Sequence, residues 1–152
     1  MKTKRPLTRS ENMARIRSKD TKPEMVIRQG LHARGYRFRL HRRDLPGTPD
    51  LVMPKHGAVI EVRGCYWHAH PGCGRAPSTN QEYWGPKLKR NRERDLANEA
   101  ALQEAGWRVL VVWECCMVGK GRWDREALLD AVEAWLRSED RSTQLEGRPV
   151  EP

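Results

Sequence analysis

No run of apolar residues approaches the ~20 needed to cross a bilayer, so this sequence of 152 residues is not expected to be an integral membrane protein. The opening stretch, Met1-Lys2-Thr3-Lys4-Arg5, carries charge but no apolar core follows it, so no secretory signal is expected. Cysteine is sparse, with 4 in the chain. Without an export signal these are read in a reducing, cytoplasmic compartment, where metal binding is favoured over disulfides. Acidic charge is scarce at one end only. Residues 1–43 hold 14 Lys/Arg against 3 Asp/Glu, whereas residues 44–152 hold 15 against 17. Overall the chain carries +9, with mean hydropathy −0.85. A basic excess confined to one end is the footprint of a polyanion-binding arm, because neutralising phosphates releases counterions. Solvated charge on a helix face is the plainer alternative, and the segment has no broad apolar face for a membrane.

The length suits one domain with a core. Three sections are expected: a basic DNA-binding arm over residues 1–20 with a short helix at 10–17, a folded domain over 21–137, and a disordered tail over 138–152 rich in Glu, Asp, Ser, Arg and Pro. Thr21-Lys22-Pro23-Glu24 opens a helix, with Thr21 as cap, Pro23 in the first turn and Glu24 as capping-box acid; Gly35 ends it. Strands are predicted at 36–40, 50–53 and 58–63, the last two pairing as a hairpin. Residues 64–86 lack periodicity and form a long irregular insertion, which is usually functional or stapled by metal. A helix is predicted from 86 to 105 with Leu88, Leu96 and Leu102 inward. Residues 107–113 read as a buried central strand, and 124–136 as an amphipathic helix. The order is helix, three strands, helix, strand, helix, an α/β class.

Two constellations carry chemistry. The hairpin brings Asp50 and Glu61 to the same end of the sheet, where carboxylates and a backbone carbonyl can hold Mg²⁺. Arg63 stands two residues further on the same face, where a cation would stabilise charge on a phosphate. This resembles the PD-(D/E)xK nuclease pattern with Arg for Lys; the alternative is turn capping by Asp50 and an ordinary strand glutamate. The second constellation is Cys65-x4-His70-x2-Cys73, followed by Cys115 and Cys116. Such ligands in a loop without its own core point to structural Zn²⁺, with Cys115 preferred as fourth ligand because it comes directly as the strand ends. Four protein ligands leave no open position for catalysis there. His68 is then spare, and beside the carboxylates it is a candidate general base. Tyr66, Trp67 and Trp84 offer faces that can stack on bases, or else anchor the loop.

At this point Leu45-Pro46-Gly47-Thr48-Pro49-Asp50, Gly64-Cys65-Tyr66-Trp67-His68 and Trp107-Arg108-Val109-Leu110-Val111-Val112-Trp113-Glu114-Cys115 resemble the very short patch repair (Vsr) DNA mismatch endonucleases. Arg9-Ser10-Glu11-Asn12-Met13 and Glu82-Tyr83-Trp84, followed by Lys87, Asn91 and Arg94-Asp95, are similar too, so the resemblance runs in order over residues 8–136. It implies a restriction-endonuclease-like single domain, a central mixed sheet flanked by helices with a structural zinc. The implied activity is nicking one strand 5′ of the T in a T:G mismatch left by deamination of 5-methylcytosine. The implied setting is a bacterial, nucleoid-associated monomer working beside a cytosine-5 methyltransferase.

Carried over by position, Asp50 bridges metal, Val62 lends its backbone carbonyl to Mg²⁺, His68 acts on the attacking water, and Glu24 supports His68 or metal-bound water. Zinc is held by Cys65, His70, Cys73 and Cys115. Tyr66, Trp67 and Trp84 wedge into the duplex, Met13 enters from the other groove, and Lys87 and Asn91 face the mismatched pair. Independently of the resemblance, Arg15 and Arg17 of the basic arm are expected to neutralise phosphates. The chain departs from the family at Glu61, where the family has an apolar residue, so Glu61 is either a further Mg²⁺ ligand or a spare acid. Two other readings remain: a restriction-type endonuclease of the same fold, and an inactive zinc-containing DNA-binding module.

Overall fold

The computed structural model describes residues 21–65, 68, 70 and 81–148, with side chains in the helix that begins at Gln81 described from Gly85 onward. The elements in chain order are α1 (Lys22–Ala33), β1 (Arg39–Leu40), β2 (Leu51–Met53), β3 (Ala58–Arg63), α2 (Gln81–Glu104), β4 (Arg108–Trp113), α3 (Arg125–Arg137) and β5 (Ser142–Leu145). Short 3₁₀ turns at Pro54–His56 and Glu114–Cys116 follow β2 and β4. The strands form one mixed sheet in the order β1-β2-β3-β4-β5. β1, β2 and β3 are antiparallel neighbours, and β3, β4 and β5 run parallel. This is the mixed α/β architecture expected from the sequence.

Local chemistry accounts for the element ends. The Thr21 hydroxyl accepts the Glu24 N–H at 3.4 Å, Pro23 lies in the first turn of α1, and Gly35 takes φ +93° just past the end. Gly57, at φ 58°, makes the turn between β2 and β3.

Each face of the sheet carries its own core. On one side Ile27 and Leu31 of α1 and Leu128, Leu129, Val132, Trp135 and Leu136 of α3 pack on Ile60, Leu110 and Val112. Gly30 lets α1 approach α3, since a Cβ there would lie 2.5 Å from Leu129 Cδ1. On the other side Leu102 of α2 covers Val52, Val59, Val109, Val111 and Trp113.

Four expectations are corrected. The first strand is only two residues long, because Tyr36 and Phe38 pack against the apolar cluster as irregular chain. The long helix begins at Gln81 and takes Pro86 inside it, a position where proline forfeits one helical hydrogen bond. Leu96 is 53% exposed, while the buried stripe of α2 runs through Leu88, Glu99 and Leu102. The tail is not wholly disordered: Ser142–Leu145 pairs in parallel with β4 from Val109 to Val112. Its polar composition buries little, yet β4 would otherwise leave an open edge, and the Trp113 indole N–H donates to Gln144 at 2.9 Å.

Candidate active site

At the C-terminal end of β3 lies a cavity of about 440 Å³ lined by His41, Gly47, Thr48, Asp50, Glu61, Val62, Arg63, His68, Asp95 and Asn98, among others. The hairpin register builds one wall. Leu51 opposes Ile60, so Asp50 stands opposite Glu61. The Asp50 carboxylate accepts the Val62 N–H at 2.8 Å. In an extended strand a residue's N–H and C=O leave the backbone on the same edge, so the Val62 carbonyl faces the side where Asp50 lies.

Asp50 has company from α1. Glu24 is 2% exposed, and its two oxygens each lie 3.1 Å from His41 Nε2. His41 Nε2 is 3.9 Å from Asp50 Oδ1, which closes a Glu24–His41–Asp50 group. His41 takes φ 47°, an uncommon backbone state for a non-glycine residue. Arg28 pairs with Glu24 Oε2 at 3.1 Å. Burial pushes the Asp50 carboxyl up to about 8; donation by Val62 opposes this, and the neighbouring Glu24 and Glu61 add to it. A half-buried carboxylate crowded by acids is short of positive charge, and an oxygen-rich donor set of Asp50, Glu24 and the Val62 carbonyl suits a hard divalent cation.

Glu61 lines the same cavity and is paired with a cation of its own. It is 7% exposed, and its carboxylate accepts from Arg63, which is 5% exposed and also ion-pairs with Glu99 of α2 at 2.5 Å. Burial raises the Glu61 carboxyl despite Arg63 beside it. Burial also opposes charge on Arg63, but Glu61, Asp95 and Glu99 outweigh it and hold the guanidinium charged. Both side chains are thus committed to each other, and among the described residues the acid grouped with Asp50 is Glu24.

The opposite wall carries His68. Its Nδ1 lies 2.6 Å from Asp95 Oδ2. A carboxylate of Asp95 can only accept, so the tautomer that satisfies this contact carries its proton on Nδ1. The sequence reading assigned no role to Asp95 or His41. The signal for Asp95 was a polar interruption, Asn91-x3-Asp95-x3-Glu99, on the inward stripe of the long helix; nothing local marked His41.

Cys65, His70 and Cys115 form a second cluster, their ligand atoms all within 4.8 Å of one another. Cys115 Sγ is 3.7 Å from His70 Nδ1. Zn–S and Zn–N bonds of ~2.3 and ~2.0 Å at a tetrahedral angle place such atoms roughly 3.5 Å apart, so this donor set fits Zn²⁺. His70 stacks on Trp113 at 4.0 Å, and Gly147 N–H donates to Cys115 Sγ at 3.1 Å. His70 Nε2, 3.5 Å from the Glu146 carboxylate, is placed for the outer partner that metal-bound histidines keep. Cys116 turns the other way into the α1/α3 core, where burial pushes its thiol up to about 12.

Lys87 is exposed on α2 and Asn91 is half-buried there, beside Arg94. Cys73, Tyr66, Trp67, Met13, Arg15 and Arg17 lie outside the described residues, as does the side chain of Trp84 in the first turn of α2.

Residues 1–74 match the family described as DNA mismatch endonuclease Vsr. Among curated proteins, the chain is similar to the type II nicking enzyme V.XorIIP of Xanthomonas oryzae, 54% identical over 88% of this chain and 92% of that one. It is also 40% identical to the DNA mismatch endonuclease Vsr of Escherichia coli, over 94% of this chain and 92% of that one. The nicking enzyme V.NaeI of Lentzea aerocolonigenes is 43% identical over 83% of this chain and 73% of its own. Identity at this level along nearly the whole length, spanning both walls of the cavity, places the chain in the Vsr DNA mismatch endonuclease family, as a DNA endonuclease.

Proposed function

We propose that this endonuclease nicks one strand of duplex DNA on the 5′ side of the T in a T:G mismatch, in a Mg²⁺-dependent step of very short patch repair. The observation that carries the reading is the cavity itself. It has Asp50 and Val62 on one wall, with the buried Glu24 grouped behind Asp50 through His41, and a histidine held by a carboxylate on the other, His68 and Asp95. The mixed sheet with Asp50 and the Val62 backbone at one end of a hairpin supports a PD-(D/E)xK-type fold, with the second acid supplied from α1 instead of β3.

When bound, Mg²⁺ supplies Lewis-acid stabilisation of the phosphate and lowers the pKa of water. Asp50 and the Val62 carbonyl would hold it, with Glu24 as the neighbouring acid. His68 Nε2 takes the proton of the attacking water, and Asp95 steadies the resulting imidazolium through Nδ1–H. His41 holds Glu24 in place. The 3′ oxygen of the preceding nucleotide leaves, so the nick carries a 5′ phosphate on the T. Zn²⁺ on Cys65, His70, Cys73 and Cys115 would clip the loop after β3 to the end of β4. The loop aromatics Tyr66 and Trp67, with Trp84, would wedge beside the mismatch, where a poorly stacked wobble pair opens at lower cost. Met13, Arg15, Arg17, Lys87 and Asn91 would add contacts to the bases and phosphates. A monomer in the bacterial cytoplasm, beside a cytosine-5 methyltransferase, is the matching setting.

The test is nicking of labelled duplexes that differ only in a central T:G, T:A or C:G pair, with Mg²⁺ or with chelator. The expected outcome is one nick, 5′ of the mismatched T, seen only with Mg²⁺. Cleavage of both strands of matched DNA would establish the restriction-type reading instead, and binding without cleavage would establish an inactive DNA-binding module.

A further inference from the structure

Between β3 and α2 lie residues 64–80, so no short connection sets the height of α2 over the sheet. Among the described residues, Leu102 is the one side chain that the helix contributes to the apolar cluster on this face. Asp95 stands seven residues before Leu102, which is about 10 Å along a helix. Leu88, the other buried leucine of α2, is as far away on the opposite side. Near Asp95 the buried side chain on α2 is Glu99, one turn away on the same face. Glu99 is gripped by Arg63, and Arg63 is gripped by Glu61 on its own strand. One planar guanidinium, with Nη2 donating to Glu61 and Nη1 ion-paired with Glu99, ties the two carboxylates to a common centre.

The geometry points to Arg63, clamped between Glu61 and Glu99, as a positioning residue that bolts α2 to β3 and so sets the Asp95–His68 pair against the Asp50–Val62 wall. The inference rests on the proposed function, with its general base on one element and its metal-binding residues on another. It gives Glu61 a task other than ligation. It also explains why Arg63 and three nearby acids, Glu61, Asp95 and Glu99, share one buried region, where unpaired charge is costly. Misplacing reacting groups by ~1 Å can cost ~10²-fold in rate. A loosened clamp therefore slows the chemical step without weakening the grip on DNA.

The experiment uses the full chain and whichever duplex the wild-type protein nicks fastest, so failure of the T:G reading is seen separately. Three proteins are compared: wild type, Arg63→Met, and the triple variant Glu61→Leu/Arg63→Met/Glu99→Leu. Arg63→Met is expected to lower the single-turnover nicking rate at saturation by ~10–100-fold, with the half-saturating DNA concentration within about threefold of wild type. The triple variant, which leaves no buried charge unpaired, is expected to regain the wild-type melting temperature yet stay slow. The His68 Nδ1 proton, held at 2.6 Å, should give a downfield NMR resonance in wild type that is lost in Arg63→Met. Wild-type nicking by the triple variant would overturn the inference, since apolar packing would then suffice. So would a loss confined to DNA affinity, or a His68 resonance unchanged in Arg63→Met. Should Arg63→Met fail to fold, the triple variant decides alone.

Discussion

The two faces of the sheet are built on different principles. Under α1 and α3 the core is apolar almost throughout, with Ile27, Leu31, Leu128, Leu129, Val132 and Trp135 interleaved and Gly30 admitting Leu129. Under α2 the apolar cluster is smaller, and the centre of the interface is occupied by Glu61, Arg63 and Glu99, with Asp95 at their edge. Close packing of hydrocarbon is non-directional and stabilises whatever shape fills the space. Ion pairs and hydrogen bonds are directional, cost desolvation, and hold particular atoms in particular places. The first face is therefore where stability resides, and the second is where the chemistry is aligned. Glu24 is the exception that joins them, an α1 residue whose carboxylate reaches across to Asp50 through His41.

Substitutions can break that division, beginning with the largest effect. Asp50→Ala should abolish nicking in a plasmid or oligonucleotide assay while mobility-shift binding to the same DNA persists, because it removes the carboxylate that accepts from the Val62 N–H and that the proposed Mg²⁺ would need. Nicking at the wild-type rate would remove Asp50 from the site. Asp95→Asn keeps the shape of α2 but loses the anion that steadies His68, and should lower the single-turnover rate by ~10²–10⁴-fold with little change in melting temperature. A drop in melting temperature with no change in rate would place Asp95 on the structural side of the comparison. Leu129→Ala, on the apolar face, should do the reverse. It should cost about 2–5 kcal/mol in denaturant unfolding and leave the rate per folded molecule unchanged. Leu96→Ala removes an exposed leucine from the outer face of α2 and should shift stability by less than about 0.5 kcal/mol, with nicking intact.

The Cys65–His70–Cys115 group sharpens the comparison at one residue pair. Cys115 and Cys116 are adjacent, but the 3₁₀ turn after β4 sends the first toward Cys65 and His70 and the second into the α1/α3 core. Cys115→Ser should release bound zinc, measured by metal analysis of the purified protein, whereas Cys116→Ser should retain it and lose only some stability. Zinc loss from Cys116→Ser alone would reverse the assignment.

Much of this molecule is legible residue by residue. Thr21, Pro23 and Glu24 announce the start of α1, Gly57 the hairpin turn, and the run around Val109–Val112 a buried strand. Capping, turn formation and apolar periodicity act within a few residues, so their signals survive in one dimension. The pairing of Asp50 with the end of β3 was legible too, because a hairpin is local and its register follows from its length. The leucine pattern does not reveal the inward stripe of α2, because that stripe is polar where it meets the site and Leu96 faces outward.

By itself, the sequence determined the element order as far as α3, the hairpin that carries Asp50, the Cys and His ligand candidates and the basic N-terminal region, all of which depend on short-range spacing and composition. Only the tertiary structure decided that Glu24 and His41 join Asp50, that Arg63 spends its charge on Glu61 and Glu99, that Asp95 holds His68, and that Ser142–Leu145 closes the edge of β4. Those contacts join residues distant in the chain. Their energy depends on burial and on directions that exist only once two helices and a sheet have packed.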